Sequence, residues 1–346
     1  MTSKSDFEIC RVAIRNGSRS FHAASKLLPA KVRDPAYVLY AFCRLADDAV
    51  DLNDRKDAAV LSLAERLDKV YAGEPRDDPV DRAFTDLVQS YDMPRALPEA
   101  LLEGLSWDAL EHRYQTLSDL RAYSARVASA VGAMMCVLMD VRGRDALARA
   151  CDLGVAMQLT NIARDVGEDA AAGRLYLPLD WMEEAGLDPD GFLAKPSMSP
   201  ALAGVVRRLL READRLYQRA ESGVSSLPRR CRPGILAARH IYAHIGRHIA
   251  ASGYDSLHRR ARTSTVEKLE LLGLSYCQAA AMSVMPRSAV LHAAALPEVE
   301  FLVEAAASDA REASPWGNGR SGAVFSALAQ LAERDRAYPQ RGTSPA

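Results

Sequence analysis

Two clusters of carboxylates lie inside otherwise apolar helical stretches, and they constrain this chain more than any other feature. The first closes the segment AYVLYAFCRLADDAVDL, residues 36–52, which is apolar nearly all round, as in a buried helix. Asp34-Pro35 just before it reads as an N-cap followed by proline at the first helical position. Asp47 and Asp51 are four apart and share a helical face, with Asp48 adjoining and Arg44 one turn earlier. Like charges at that spacing repel, and carboxylates enter a core only when paired or bound to metal. The second cluster is MQLTNIARDVGEDAAAGRLYLP, residues 157–178, where Gln158, Asn161, Asp165 and Asp169 fall within an arc of about 80° at 100° per residue. A solvated face would explain either cluster alone. Two oxygen-rich stripes on two apolar helices, each with an arginine beside it, instead suit hard cations such as Mg²⁺, which take oxygen ligands together with substrate phosphates.

Supporting groups surround these stripes. Arg44 and Arg164 can meet phosphate oxygens bidentately, although each alone also reads as a structural ion-pair partner. Gly167 inside a helix costs about 1 kcal/mol relative to alanine, so it points to close packing or close ligand approach. Ser18, Arg19 and Ser20 in GSRSFHAASKLLP form a glycine-led turn that could touch phosphate or merely cap the next helix.

The rest of the chain is helical in pattern. Further helices are predicted around 57–72, 80–91, 97–114, 118–139, 145–169, 201–225, 234–252, 264–285 and 321–335, and alternating β-type runs are almost absent. We expect one all-α domain over residues 1–335 and a disordered tail over 336–346. A net charge of −1 gives no electrostatic reason to expect nucleic acid as a partner. The start MTSKSDFEIC lacks the apolar core of a signal peptide, and no run is apolar enough for a membrane span, so a cytoplasmic protein is expected. The six cysteines are widely spaced, without a CxxC pair, and read as reduced, mostly core thiols. One GxGxxG, GNGRSG at 317–322, follows no strand and reads as a loop rather than a dinucleotide site.

Taken together, GSRSFHAASKLLP, YAFCRLADDAVD, YSARVASAVG, MQLTNIARDVGEDAAAGRLYLP and GYDSLHRRA resemble the squalene/phytoene synthase family, in the family's order over about residues 17–262. Within it, AFCRLADDAVD, GRLYLPLDWMEEAGLDPD and STVEKLELL look most like the bacterial phytoene synthases. The resemblance implies an isoprenoid-synthase-type helical bundle around a deep apolar cavity, with the acidic motifs facing each other at its mouth. It implies Mg²⁺, with Mn²⁺ as the alternative, held by Asp47, Asp51, Asn161 and Asp165, and Asp48 and Asp169 in support. Catalysis would rest on Asp47, Asp51, Asp165 and Asp169. Ser18, Arg19, Ser20, Tyr40, Arg44, Gln158, Arg164 and Tyr254 would contact two prenyl diphosphates, and VASAVGAMMCVLM would line the tail tunnel, where plain core packing is the competing explanation.

The implied reaction is head-to-head condensation of two geranylgeranyl diphosphates to phytoene through a cyclopropylcarbinyl diphosphate, in carotenoid biosynthesis and without NADPH. The alternatives are squalene or dehydrosqualene synthesis from two farnesyl diphosphates and, more distantly, a non-catalytic helical assembly protein. Lipid substrates make peripheral contact with the inner face of the cytoplasmic membrane, or association with neighbouring carotenoid enzymes, an expectation as well. Two departures stand out: serine at 129 where glycine is expected, which would narrow the pocket slightly, and alanine at 172 where a basic residue often precedes the glycine, leaving fewer cations near the diphosphate.

Overall fold

The computed structural model describes residues 2–52, 55–284 and 288–307. The helix predicted at 321–335, the GNGRSG loop and the tail at 336–346 lie outside them, as does the domain boundary at 335.

In chain order the helices are α1 (Lys4–Gly17), α2 (Arg19–Ser25), α3 (Ala30–Asp51), α4 (Lys56–Ala72), α5 (Pro79–Ser90), α6 (Ala96–Ala109), α7 (Leu117–Ser124), α8 (Ala130–Leu138) and α9 (Arg144–Ala171). They continue with α10 (Leu179–Glu184), α11 (Pro189–Ala194), α12 (Pro200–Val224), α13 (Arg232–Ala251), α14 (Thr265–Ala281) and α15 (Glu300–Ala307). No strand occurs among the described residues. Many starts have a local cause. Asp78 accepts the Val80 and Asp81 amides with Pro79 behind it, Ser199 caps α12 ahead of Pro200, and Thr116–Asp119 and Ser264–Glu267 are reciprocal capping boxes.

The start of α3 differs from the expectation. The helix begins at Ala30 with Pro29 as its cap, and Pro35 lies inside it, so Asp34-Pro35 is not its start. Proline inside a helix leaves the carbonyl four residues back without its donor. Here that carbonyl, on Lys31, accepts the Tyr91 hydroxyl at 3.1 Å. The rescue lies 60 residues away and is invisible to local reading.

Helix α9, 28 residues long, runs through the middle and packs along α12, α13, α8 and α15. Its buried residues lie all round the axis, as the apolar background of its motif suggested. Between α7 and α8 the backbone makes a π-helical turn, Ala125–Ser129, where α9 crosses closely: a Cβ on Gly154 would stand 2.5 Å from Ser129 Cα. Ser129 is fully buried there and donates its hydroxyl to the Cys151 carbonyl at 2.7 Å. It faces α9 and does not line the cavity described below, so the expected narrowing does not occur.

One continuous cluster of buried apolar side chains runs from Cys10 to Ala306. All six cysteines are free, four of them buried. No helix among the described residues is long and apolar enough to cross a membrane.

Candidate active site

The C-terminal turns of α3 and the second half of α9 bring the two acid stripes together. They line a polar pocket of about 130 Å³ with Asp47, Asp51, Gln158, Asn161, Asp165 and Asp169, joined by Asp108 from α6, Tyr123 from α7, and Arg174 and Tyr176 from the segment after α9. Beneath it opens an apolar cavity of about 340 Å³. Gln158 and Asn161 belong to the walls of both, so the acid mouth sits directly on the tunnel.

The tunnel wall shows which part of each element turns inward. Val127, Ala128, Val131, Gly132, Met135 and Met139 face it, while Ala130, Ala133 and Met134 pack into the core. The stripe at 127–139 is therefore partly tunnel and partly packing. Phe21, Tyr40 and Tyr242 put aromatic faces on the opposite side, Phe21 and Tyr242 stacked at 5.2 Å between centroids.

Arg174 stands between the stripes. Its guanidinium donates to Asp51 at 2.9 Å and lies 4.0 Å from Asp169. Arg260, on the segment after α13, donates to Asp165 at 2.8 Å and lies 3.3 Å from Glu168. Alanine at 172 thus does not leave the mouth poor in cations. Asp108 accepts hydroxyls from Tyr176 at 2.7 Å and Tyr123 at 2.8 Å, which fixes a fifth carboxylate at the mouth. These residues escaped the sequence reading. The one available signal for Arg174 and Tyr176 was their place within the second motif.

Electrostatics at the mouth are unbalanced. Burial, with the charge of Asp51, pushes Asp47 up to about 6. Burial, with the charges of Asp165 and Asp108, pushes Asp169 up to about 7, and burial raises Asp108 to about 6 against its two tyrosine donors. Asp165 goes the other way: burial would raise it, but hydrogen bonds from Arg164 and Arg260 hold it below the usual carboxylate range. Asn161 Oδ1 is buried and accepts no hydrogen bond. Crowded acids that resist ionising, beside an unused amide oxygen, form an all-oxygen donor set that fits a hard divalent cation.

Other expected residues lie around this centre rather than in it. Arg44 pairs with Asp48 at 2.5 Å and Asp47 at 3.3 Å, and Arg164 with Asp165 at 2.5 Å. Neither arginine lines the polar pocket, and neither does Asp48. Tyr40 lines the tunnel. The glycine-led turn is a junction between two helices: Gly17 ends α1, Ser18 caps α2 by accepting the Phe21 amide, and Arg19 and Ser20 form its first turn. Tyr254 occupies the left-handed turn after α13, with φ of 64°, and lines neither pocket. Gly167 serves packing: a Cβ there would stand 2.3 Å from the Leu257 carbonyl oxygen, and its amide donates to the Ser256 carbonyl at 3.1 Å.

A profile of the squalene/phytoene synthase family matches residues 14–267. The chain belongs to the squalene/phytoene synthase family. Within this family it is 60% identical to a phytoene synthase of Cereibacter sphaeroides, over 97% of this chain and 96% of that one. It is 58% identical to a phytoene synthase of Rhodobacter capsulatus, over 97% and 98% of the two chains. A solved dehydrosqualene synthase superposes with a TM-score of 0.73 at 31% identity, covering 80% of this chain and 98% of its own. The fold is the isoprenoid-synthase-type bundle of that family, closed around its apolar cavity.

Proposed function

We propose that this chain is a phytoene synthase, a prenyltransferase that joins two geranylgeranyl diphosphates head to head through a cyclopropylcarbinyl diphosphate, releasing two diphosphates and two protons. The observation that carries the reading is the sharing of Gln158 and Asn161 between an acid mouth and an apolar tunnel, in a chain so similar to phytoene synthases. Asp47, Asp51, Asn161 and Asp165 hold Mg²⁺ or Mn²⁺, with Asp48 and Asp169 in support. Bound there, the cation stabilises the negative charge that develops on the departing diphosphate.

The chain's own residues do the rest. Arg174 and Arg260 already reach the acids, so they are placed to turn to the phosphates when the acids are occupied. Arg44, Arg164, Ser18, Arg19, Ser20 and Tyr254 complete the diphosphate surroundings as the substrate seats. Apolar walls exclude water from the allylic cation, and the faces of Phe21, Tyr40 and Tyr242 stabilise it. Purified protein with Mg²⁺ and geranylgeranyl diphosphate should yield phytoene whether or not NADPH is present. Squalene from farnesyl diphosphate, formed only with NADPH, would overturn this choice of donor and product.

The acids predict a pH signature. Carboxyls raised in the folded state contribute stability while protonated and lose it as pH climbs from about 4 through 6–7. Cation-free protein should therefore melt lower at pH 8 than at pH 5.5 on account of Asp47 and Asp169. Mg²⁺, which needs them ionised, should raise the melting temperature more at pH 8. Equal shifts at both pH values would remove these acids from the metal site.

We further infer a cytoplasmic protein resting peripherally on the membrane. The outer face of α14 exposes Val266, Leu269, Leu274 and Tyr276, each more than half accessible, and both substrate and product are lipids. The protein should float with anionic liposomes, and recovery wholly in the soluble fraction would sink that reading.

A further inference from the structure

Away from the mouth, α13 carries His240, His244 and His248 at successive turns, and the last two meet α14. The Glu267 carboxylate lies between them. Its Oε1 is 3.3 Å from His244 Nε2 and 3.0 Å from His248 Nε2, while its Oε2 is held by the Ser264 amide at 2.7 Å as part of the capping box. His240 is otherwise engaged, with Nδ1 on the Ser275 hydroxyl at 3.0 Å. Ligand atoms from His244, His248 and Glu267 all lie within 4.8 Å of one another.

We propose that His244, His248 and Glu267 form a structural site for a borderline divalent cation of the Zn²⁺ class, separate from the acid mouth. Bonds of 2.0–2.1 Å give a tetrahedron edges of about 3.3 Å, and the two nitrogen-to-oxygen separations already match that spacing. His248 Nε2 is buried yet makes no hydrogen bond of proper geometry, although Oε1 is so close. His244 Nε2 makes a long hydrogen bond to the same Oε1 at 3.3 Å, so two imidazoles and a carboxylate converge on one point and only one of the imidazoles is satisfied there. Imidazole selects Zn²⁺, Co²⁺ or Ni²⁺ over Mg²⁺. The three side chains remain 22–35% accessible, which leaves a side open for water as the fourth ligand.

The consequence lies in what the site would tie together. His248 is near the end of α13 and Glu267 in the first turn of α14, so a cation there closes the base of the connection at 249–266. That connection carries Arg260 onto Asp165 and lays the Ser256 carbonyl on the Gly167 amide. Filling the site steadies the segment that touches the acid stripe of α9, without joining the reaction.

The test uses the full chain in excess Mg²⁺, titrated with Co²⁺ and then Zn²⁺, alongside an Asp47→Ala/Asp165→Ala double variant that disables the mouth. Wild type and the double variant should each take up one Co²⁺ with the visible absorption of tetrahedral nitrogen–oxygen ligation, released by Zn²⁺. Zn²⁺ should raise the melting temperature by several degrees and slow hydrogen exchange over 249–266. His248→Asn and Glu267→Gln, the latter still able to form the capping box, should weaken binding by at least about tenfold while keeping Mg²⁺-dependent turnover. Uptake unchanged in these variants, uptake lost in the double variant, or no uptake by wild type would overturn the site. Because the double variant lacks the mouth ligands, its result is independent of whether the proposed reaction is right.

Discussion

Replacing Asp47 or Asp165 by alanine should lower turnover by about 10³-fold or more while the helical circular dichroism stays near that of the unmodified chain. Groups that stabilise charge developing in a transition state carry effects of this order, because nothing else in a water-poor site replaces them. The two variants should differ in stability. Asp47 is half-exposed and crowded by Asp51, so its removal relieves repulsion, and Arg44 keeps Asp48 as a partner. Asp165 is 16% accessible and answers both Arg164 and Arg260, so its removal strands the buried Arg164, while Arg260 keeps only Glu168 at 3.3 Å. Asp165→Ala should therefore melt below Asp47→Ala. Substantial residual turnover in either variant would show that the metal ligands are wrongly assigned.

The largest effect on stability is expected far from the chemistry. Arg149 and Asp152, both fully buried on α9, face each other at 2.7 Å, and Arg219 on α12 donates to the same Asp152 oxygen at 3.1 Å. Arg149 also donates to the carbonyls of Val290 at 2.8 Å and Ala293 at 2.9 Å, and Arg219 to that of Ala294 at 2.8 Å. One carboxylate thus balances two cations that hold the irregular segment before α15 against the bundle. Removing one partner of a buried pair leaves the other charge uncompensated, at a cost of about 3–5 kcal/mol. Asp152→Ala should lower the melting temperature by on the order of 10 °C. A shift within a degree or two of wild type would mean that the guanidinium groups find water or other acceptors.

Much of this could be read from the chain, because the informative patterns are local. Gln158, Asn161, Asp165 and Asp169 share a face by helical geometry alone, and the opposing pair Asp47 and Asp51 obeys the same rule. The small residues of the 127–139 stripe divide between the two readings, Ala128 and Gly132 on the tunnel and Ala130 and Ala133 in the core. What escaped reading was brought together by tertiary contact. Asp108 lies on the far side of its helix from that helix's other acids, Glu99 and Glu103, so it forms no stripe with them, and Arg260 is one of several arginines in its segment. Nothing in the order of residues says that one touches Tyr123 and the other Asp165. The start of α3 failed for the same reason, since Asp34-Pro35 carries a genuine local signal that a tyrosine from α5's end cancels. Ser129 shows the reverse case: the residue was noticed, but its direction is set by a turn whose hydrogen-bond pattern is not α-helical.

That turn has a consequence for how the site could be altered. Tyr123 reaches into the acid pocket, while Val131 and Met135 further along the same run face the tunnel. The π-helical turn at Ala125–Ser129 takes up one extra residue between them without that residue's rotation. Deleting a single residue there would remove the bulge and leave the two halves facing as they do, whereas winding the same residues as ordinary α-helix would swing one half by about 100° relative to the other. Either Tyr123 would leave the acid pocket or Val131 and Met135 would leave the tunnel. The separation of polar from greasy along this wall thus depends on a frame-shift in backbone winding, and conservative side-chain changes cannot reproduce or repair it.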